Sequence, residues 1–254
     1  MSQTGRESKR DVRERQAQER AQQAATQQRK ERMIRLGLIG LVFLVVAGVG
    51  LGVYLSNRPK ADTAASVPKG VTPPGGGVVV GTGTKPLLDV WEDFQCPACK
   101  ALEDALGSYI ESLGTSGKVK LVYHPLSFLD QNLNNDSSLR AANASGCAQD
   151  QGKFRPFHDQ VYKNQPAKEG TGYTDAQLIE FGKAAGVPDM TTFTQCVNSH
   201  THYGWVNNVQ LSGNAAQITS TPTFTIDGKK IDFSTAKSYD EIKTMLDQAI
   251  AAAS

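Results

Sequence analysis

The sequence predicts an α/β domain with an all-helical insertion, preceded by a single N-terminal transmembrane helix. Three observations predict it. Strand-like apolar runs alternate with amphipathic helical runs at both ends of the region 78–253. Between Ser137 and Gln217 the strand signal disappears and only helical pieces remain. Upstream, residues 36–55 form a run of 20 residues without a charge.

Residues 1–61 hold 12 Lys/Arg against 5 Asp/Glu, whereas residues 62–254 hold 15 against 20. A basic tail is thus joined to a mildly acidic body, and that balance argues against nucleic acid as a partner. The tail, 1–35, is rich in Arg, Glu, Gln and Ala, has no apolar face, and reads as a charged topology determinant. The apolar run "LGLIGLVFLVVAGVGLGVYL" follows. At about 1.5 Å per residue, a helix of that length spans roughly 30 Å, the hydrocarbon thickness of a bilayer. No small-residue cleavage site follows at once, so it reads as an uncleaved anchor rather than a signal peptide. Arg29, Lys30, Arg32 and Arg35 crowd its N-terminal side. The positive-inside tendency therefore places the tail in the cytoplasm and all that follows outside the cytoplasmic membrane. Residues 56–77, rich in Pro, Gly, Ser and Thr, read as a flexible linker.

The folded body is expected over 78–253. "VVV" (78–80) and "PLLDVWEDF" (86–94) read as strands, Pro97 to Leu113 as an amphipathic helix, and "KVKLVYHPL" (118–126) as a strand. The insertion, about 137–217, breaks into helices near 137–150, 153–163, 174–185, 189–199 and 201–217. Thr174 and Gln177 are spaced as a capping box. "TFTIDGKKIDF" (223–233) reads as a hairpin around Asp227-Gly228, and 238–253 as a terminal helix. Phe154, Phe157 and Tyr162 are expected in the insertion core, and His124 as a satisfied structural histidine.

The chemistry concentrates in "DVWEDFQCPACK", where Cys96 and Cys99 sit at a strand-to-helix turn. A structural zinc site needs a second cysteine pair or paired histidines at suitable spacing. Cys147 and Cys196 are single and far apart, and His200 and His202 lie two apart in an expected helix, on different faces. No metal or other cofactor is implied. A redox pair fits better. Unpaired N–H groups and the dipole at a helix start stabilise a thiolate, the species active in disulfide exchange. Pro97 suits the first helical position because its missing N–H would have had no partner. Cys99 lies one turn on. Far along the chain, "STPTF" (220–224) places Pro222 at the opening of a strand.

Together "EDFQCPAC", the helical insertion and "TPTF" resemble the DsbA-like branch of the thioredoxin superfamily, in particular membrane-anchored actinobacterial forms. The resemblance covers about residues 78–253. It implies a thioredoxin fold and an extracytoplasmic role in forming disulfides in exported proteins. It implies Cys96 as the exposed nucleophile and Cys99 as the resolving cysteine, with Pro97 and Ala98 between them. Thr221 and Pro222 would form the cis-proline loop beside the disulfide. The implied partners are reduced exported proteins and a quinone-linked membrane reoxidant of the DsbB or vitamin K epoxide reductase type. Two departures stand out. Ala98 replaces the histidine of CPHC relatives, and Val90 stands where those relatives bury an acid six residues before the first cysteine. Glu92 and Asp93 are the nearest acids, either proton acceptors or solvated at a strand end. Cys147 and Cys196 are expected to pair, since an even cysteine count outside the membrane favours disulfides. The competing functions are a disulfide reductase or isomerase, for instance in cytochrome maturation, a thiol copper chaperone, and a peptide-binding module without redox activity.

Overall fold

The structure, a computed structural model, describes residues 60–253. The expected tail and anchor, residues 1–35 and 36–55, lie outside the described residues. Among the described residues no helix is long and apolar enough to cross a membrane.

A five-stranded mixed sheet has the order β1-β3-β2-β4-β5. Its strands are β1 (Val78–Val80), β2 (Leu87–Glu92), β3 (Lys120–Pro125), β4 (Thr223–Ile226) and β5 (Lys229–Lys230). β2 and β3 run parallel, with Val90 opposite Tyr123, and helix α1 (Pro97–Thr115) connects them. The other strands join antiparallel, β1 to β3, β4 to β2 and β5 to β4. β2 is buried along almost its whole length, as expected of a central strand covered on both faces.

α1 buries Leu102, Leu106, Ile110 and Leu113 on one stripe against this sheet. Its C-terminal end comes so close to β1 that a Cβ on Gly114 would lie 2.5 Å from the Val80 carbonyl oxygen. The terminal helix α8 (Tyr239–Ala253) packs beside α1 and on β4 through Leu246 and Ile250. The Asp227-Gly228 turn takes φ 46° and 77°, the paired left-handed conformation that a tight hairpin needs. The hairpin is shorter than the sequence suggests, with β5 ending at Lys230.

Between β3 and β4 come α2 (Asp130–Leu133), α3 (Ser137–Gln149), α4 (Phe154–Lys163), α5 (Asp175–Ala184), α6 (Met190–Asn198) and α7 (Tyr203–Ala215). Only the four-residue α2 lacks a periodic signal in the sequence. The capping box is formed in both directions, Thr174 with Gln177. Phe157, Val161, Leu178, Phe193 and Val197 fill the insertion core, and Phe193 occupies the space left by Gly182, where a Cβ would lie 2.2 Å from its ring. α7 also closes one face of the sheet, with Gly213 against Trp91 and Leu126. The stretch around His200 is a turn rather than a helix, with φ 51° at His200.

Residues 60–77, expected as part of a flexible linker, are instead fastened to the insertion. Asp62 N–H donates to Asn208 Oδ1 (2.8 Å), whose Nδ2 donates back to the Asp62 carbonyl (2.7 Å). Trp205 Nε1 donates to the Gly76 carbonyl at 2.9 Å, and Val71 is buried. The physical reason is that Trp205 and Asn208 are buried polar groups, and this segment supplies their partners.

Cys147 on α3 and Cys196 on α6 form a disulfide that closes a separation of 49 residues. In the chain-entropy model a loop of that size contributes roughly 4 kcal/mol. The double substitution Cys147→Ala, Cys196→Ala is expected to lower the midpoint of thermal unfolding by about 10 °C, since about 1 kcal/mol moves a domain of this size by 2–4 °C. Calorimetry is the check, and thiol exchange at Cys96 is expected to persist.

Candidate active site

β2 ends at Glu92, and residues 93–96 turn the chain into α1. Cys96 is the N-cap residue (φ −76°, ψ 118°) and Pro97 stands at the first helical position. Cys99, one turn into α1, faces back toward Cys96. Both are free thiols among the described residues. Opposite them lies the Thr221–Pro222 peptide bond, which is cis. The Cys96 sulfur lies 3.3 Å from the Thr221 carbonyl oxygen and donates to it only while it carries its proton. Pro97 and Ala98 face solvent, and Thr221 and Pro222 are half-buried. Cys96, expected to be exposed, is only 7% exposed, against 3% for Cys99. The cis-proline loop covers it, so an attacking thiol has only a narrow approach.

Burial and hydrogen bonding together separate the two sulfurs. The Cys99 thiol donates to Cys96, which lowers the Cys96 pKa to about 6 against the opposing effect of burial. The Ala98 and Cys99 amides at the helix start lower it further, short of a formed cap hydrogen bond. Burial pushes Cys99 well above the ordinary thiol value, and donating to Cys96 pushes it the same way. One sulfur is therefore a thiolate at neutral pH and its neighbour a thiol.

The two acids before the motif are buried rather than solvated. Glu92 is 3% exposed and accepts from His158 Nε2 on α4 at 2.8 Å. On the other side of that ring, Arg155 Nη1 stands 3.0 Å from Nδ1. Burial lowers the imidazole's pKa and the carboxylates of Glu92 and Glu103 raise it, to about 9. The Glu92 carboxylate can only accept, so the ring donates Nε2–H to it. Arg155 also binds Glu103 (2.6 Å) and Asp159 (2.8 Å). The cluster of Glu103, His158 and Asp159 thus already surrounds a cation, the guanidinium. Asp93 is fully buried, and burial raises its carboxyl to about 7 although Ser138, Leu129 and Gln95 all donate to it.

The insertion also holds the turn itself. Tyr162 donates to the Asp93 carbonyl (3.3 Å), Tyr173 to that of Phe94 (2.9 Å), and Gln165 Nε2 to those of Phe94 (2.8 Å) and Cys96 (3.1 Å). The Gln95 side chain is held by Asp130, Asn135 and Ser138. Sequence pattern alone does not single out Ser138, Arg155, His158, Gln165 or Tyr173. The one available signal is in "FRPFHDQVYK", where Arg155, His158, Asp159 and Tyr162 share a helix face at helical spacing. His124 lies away from the cysteines; it is bonded to Asp89 (2.9 Å) and stacked on Trp91, with Nδ1 unpartnered.

Residues 75–248 match the family model described as Thioredoxin. DsbA from Mycobacterium tuberculosis in its oxidised form is 28% identical, with a TM-score of 0.53, covering 70% of this chain and 100% of that one. A disulfide bond oxidoreductase, DsbG, from the same organism is 28% identical, with a TM-score of 0.51, covering 76% and 96%. MdbA of Actinomyces oris, a thiol-disulfide oxidoreductase, shares the fold at 22% identity and a TM-score of 0.56, covering 68% and 86%. No curated protein matches. With the match spanning the sheet, the insertion and the CPAC turn, the chain belongs to the thioredoxin family, as a member similar to the DsbA-type thiol–disulfide oxidoreductases.

Proposed function

We propose that this chain is an extracytoplasmic protein thiol:disulfide oxidoreductase that introduces disulfides into exported proteins through Cys96 and Cys99. The observation that carries the reading is the asymmetry of the pair, a Cys96 thiolate near pKa 6 beside a Cys99 thiol held protonated. In the oxidised enzyme a substrate thiolate attacks Cys96 Sγ. The Cys96–Cys99 bond breaks, and Cys99 leaves as a thiolate and takes up a proton. A second substrate thiolate attacks the substrate sulfur of the mixed disulfide and expels Cys96 as a thiolate. Two substrate thiols have then become one disulfide, and the enzyme holds the two electrons. Stabilising the departing Cys96 thiolate stabilises the reduced enzyme, which makes the pair an oxidant.

Pro97 and Ala98 face solvent beside the pair and leave a narrow approach to Cys96, and Thr221 and Pro222 flank its other side. Glu92, hydrogen-bonded to His158 and close enough to Cys99 to raise its pKa, relays a proton from the His158 imidazolium to Cys99 as it leaves and returns it on reoxidation. The electrons pass on to a quinone-linked membrane partner of the DsbB or vitamin K epoxide reductase type. The apolar run 36–55 tethers the enzyme to the outer face of the cytoplasmic membrane.

Thiolate absorbance of the reduced body, residues 60–253, is expected to titrate near pH 6 and to be absent in Cys96→Ser, which also fails to oxidise a reduced two-cysteine substrate. A depressed thiol pKa stabilises the folded reduced form above the unfolded value. Relative to the oxidised form, the reduced form should gain stability as pH rises from about 6 to 9, and show none of this gain below about 6. A midpoint near 9, with equilibrium against glutathione as reducing as that of thioredoxin, would assign the chain to the reductases. Glu92→Gln is expected to slow single-turnover substrate oxidation at pH 7 by at least about tenfold, while Cys96 alkylation stays fast. An unchanged oxidation rate removes Glu92 from the proton path. A reporter fused after Ser254 is expected to be active only if it works outside the cytoplasm; activity inside overturns the localisation and the oxidising role with it.

A further inference from the structure

A strand-to-helix turn normally leaves its carbonyls to water, yet three carbonyls of the turn bearing Cys96 each accept two hydrogen bonds from the protein. The Asp93 carbonyl accepts from Cys96 N–H (2.9 Å) and from Tyr162. The Phe94 carbonyl takes two side chains, Tyr173 and Gln165. The Cys96 carbonyl accepts Lys100 N–H (3.2 Å) as the first bond of the helix, and its second lone pair takes Gln165. A carbonyl oxygen has two lone pairs, so all three are saturated. Gln165 bridges two of them, and through one of these bonds it holds the backbone carbonyl of the nucleophile itself.

Gln165 lies in the segment between α4 and α5, which is itself secured. Asn135 Nδ2 donates to the Gly170 carbonyl (3.2 Å) and Arg140 Nε to that of Tyr173 (2.9 Å). Gly170 and Gly172 take φ 84° and 63°, and a Cβ on Gly172 would lie 1.8 Å from Ser137 Oγ. The segment therefore has little freedom to shift its carboxamide away from the turn.

We propose that Gln165 is a positioning residue through which the helical insertion sets the redox poise of the Cys96–Cys99 pair. The proposal rests on the thiol-exchange reading and deepens it. The carboxamide acts in two ways. Its N–H dipoles offset negative charge on two carbonyl oxygens near the sulfur, where a thiolate would otherwise feel them. It also fixes the Cys96 carbonyl, and with it the ψ angle that aims the Ala98 and Cys99 amides at the sulfur. Both effects favour the Cys96 thiolate, hence the reduced enzyme. Loss of the donors shifts the pair toward its disulfide and makes it a weaker oxidant.

Gln165→Met keeps the length and bulk of the side chain and removes its donors. In the full body it is expected to raise the Cys96 pKa by about half a unit, and to move the equilibrium with glutathione about threefold toward the oxidised form. Gln165→Ala is expected to match it. Gln165→Glu, which turns a donor into a carboxylate facing two carbonyl oxygens, should raise the pKa further. A Gln165→Met protein with wild-type pKa and wild-type equilibrium overturns the proposal, and so does one that only unfolds at lower temperature, because a purely packing role moves neither quantity. If wild-type protein does not exchange with glutathione at all, the oxidoreductase reading fails, whereas the thiolate titration still reports on Gln165.

Discussion

The close approach of the Cys99 thiol to the Cys96 sulfur on the first turn of α1 is the interaction on which the chemistry of the site depends. It forms only if two residues three apart sit on the first turn of one helix with both side chains facing the same side, and it stabilises a thiolate only if one of them keeps its proton. Pro97 starts the helix where Cys96 can cap it, and burial keeps Cys99 protonated. The sheet then has one task at this end, which is to present that turn at the mouth of β2 opposite Thr221. Because β2 is central and buried on both faces, the turn cannot move without disturbing two neighbouring strands.

The same burial creates a cost that the insertion offsets. Placing the end of β2 inside the protein buries Glu92 and Asp93, and a buried carboxylate without partners is expensive. His158 and Arg155 meet Glu92 and Glu103, while Ser138 and two backbone amides meet Asp93. Breaking such a network by removing one partner costs about 3–5 kcal/mol, because the other charge is left buried. The insertion is thus more than a cover over the site. It supplies the counter-groups without which the acidic strand end could not be dry.

Much of this was legible in the sequence because it is periodic or local. The helix boundaries of the insertion follow from apolar spacing and from caps such as Thr174, and the turn at Asp227-Gly228 from its dipeptide. The CPAC motif announces its own chemistry. What stayed hidden depends on pairs distant in sequence. Glu92 meets His158 across 66 residues, and Gln165 meets Cys96 across 69. No periodicity marks such pairs, and a strand-end acid looks the same whether it is solvated or paired. Residues 60–77 misled for the opposite reason. Their Pro and Gly content suits an irregular segment, and their backbone is a succession of turns, but composition does not reveal that Trp205 and Asn208 wait to bond it.

That segment and the active-site turn draw on the same body. His202, buried beside the Cys147–Cys196 disulfide, reaches the Ser66 carbonyl (3.0 Å) and the Asp150 carboxylate (2.8 Å), and Asp150 also takes the Lys69 amide (2.8 Å). α3 carries Ser138 toward the turn at one end and Cys147 and Gln149 toward residues 60–77 at the other. The disulfide ties α3 to α6 near that far end. A helix held covalently at one end and by a buried serine–aspartate bond at the other has little freedom to tilt. The geometry of the thiolate site is therefore a property of the insertion as much as of the sheet. Sequence similarity confined to the CPAC and TPTF motifs would place the sulfurs but leave their energetics to the helices between.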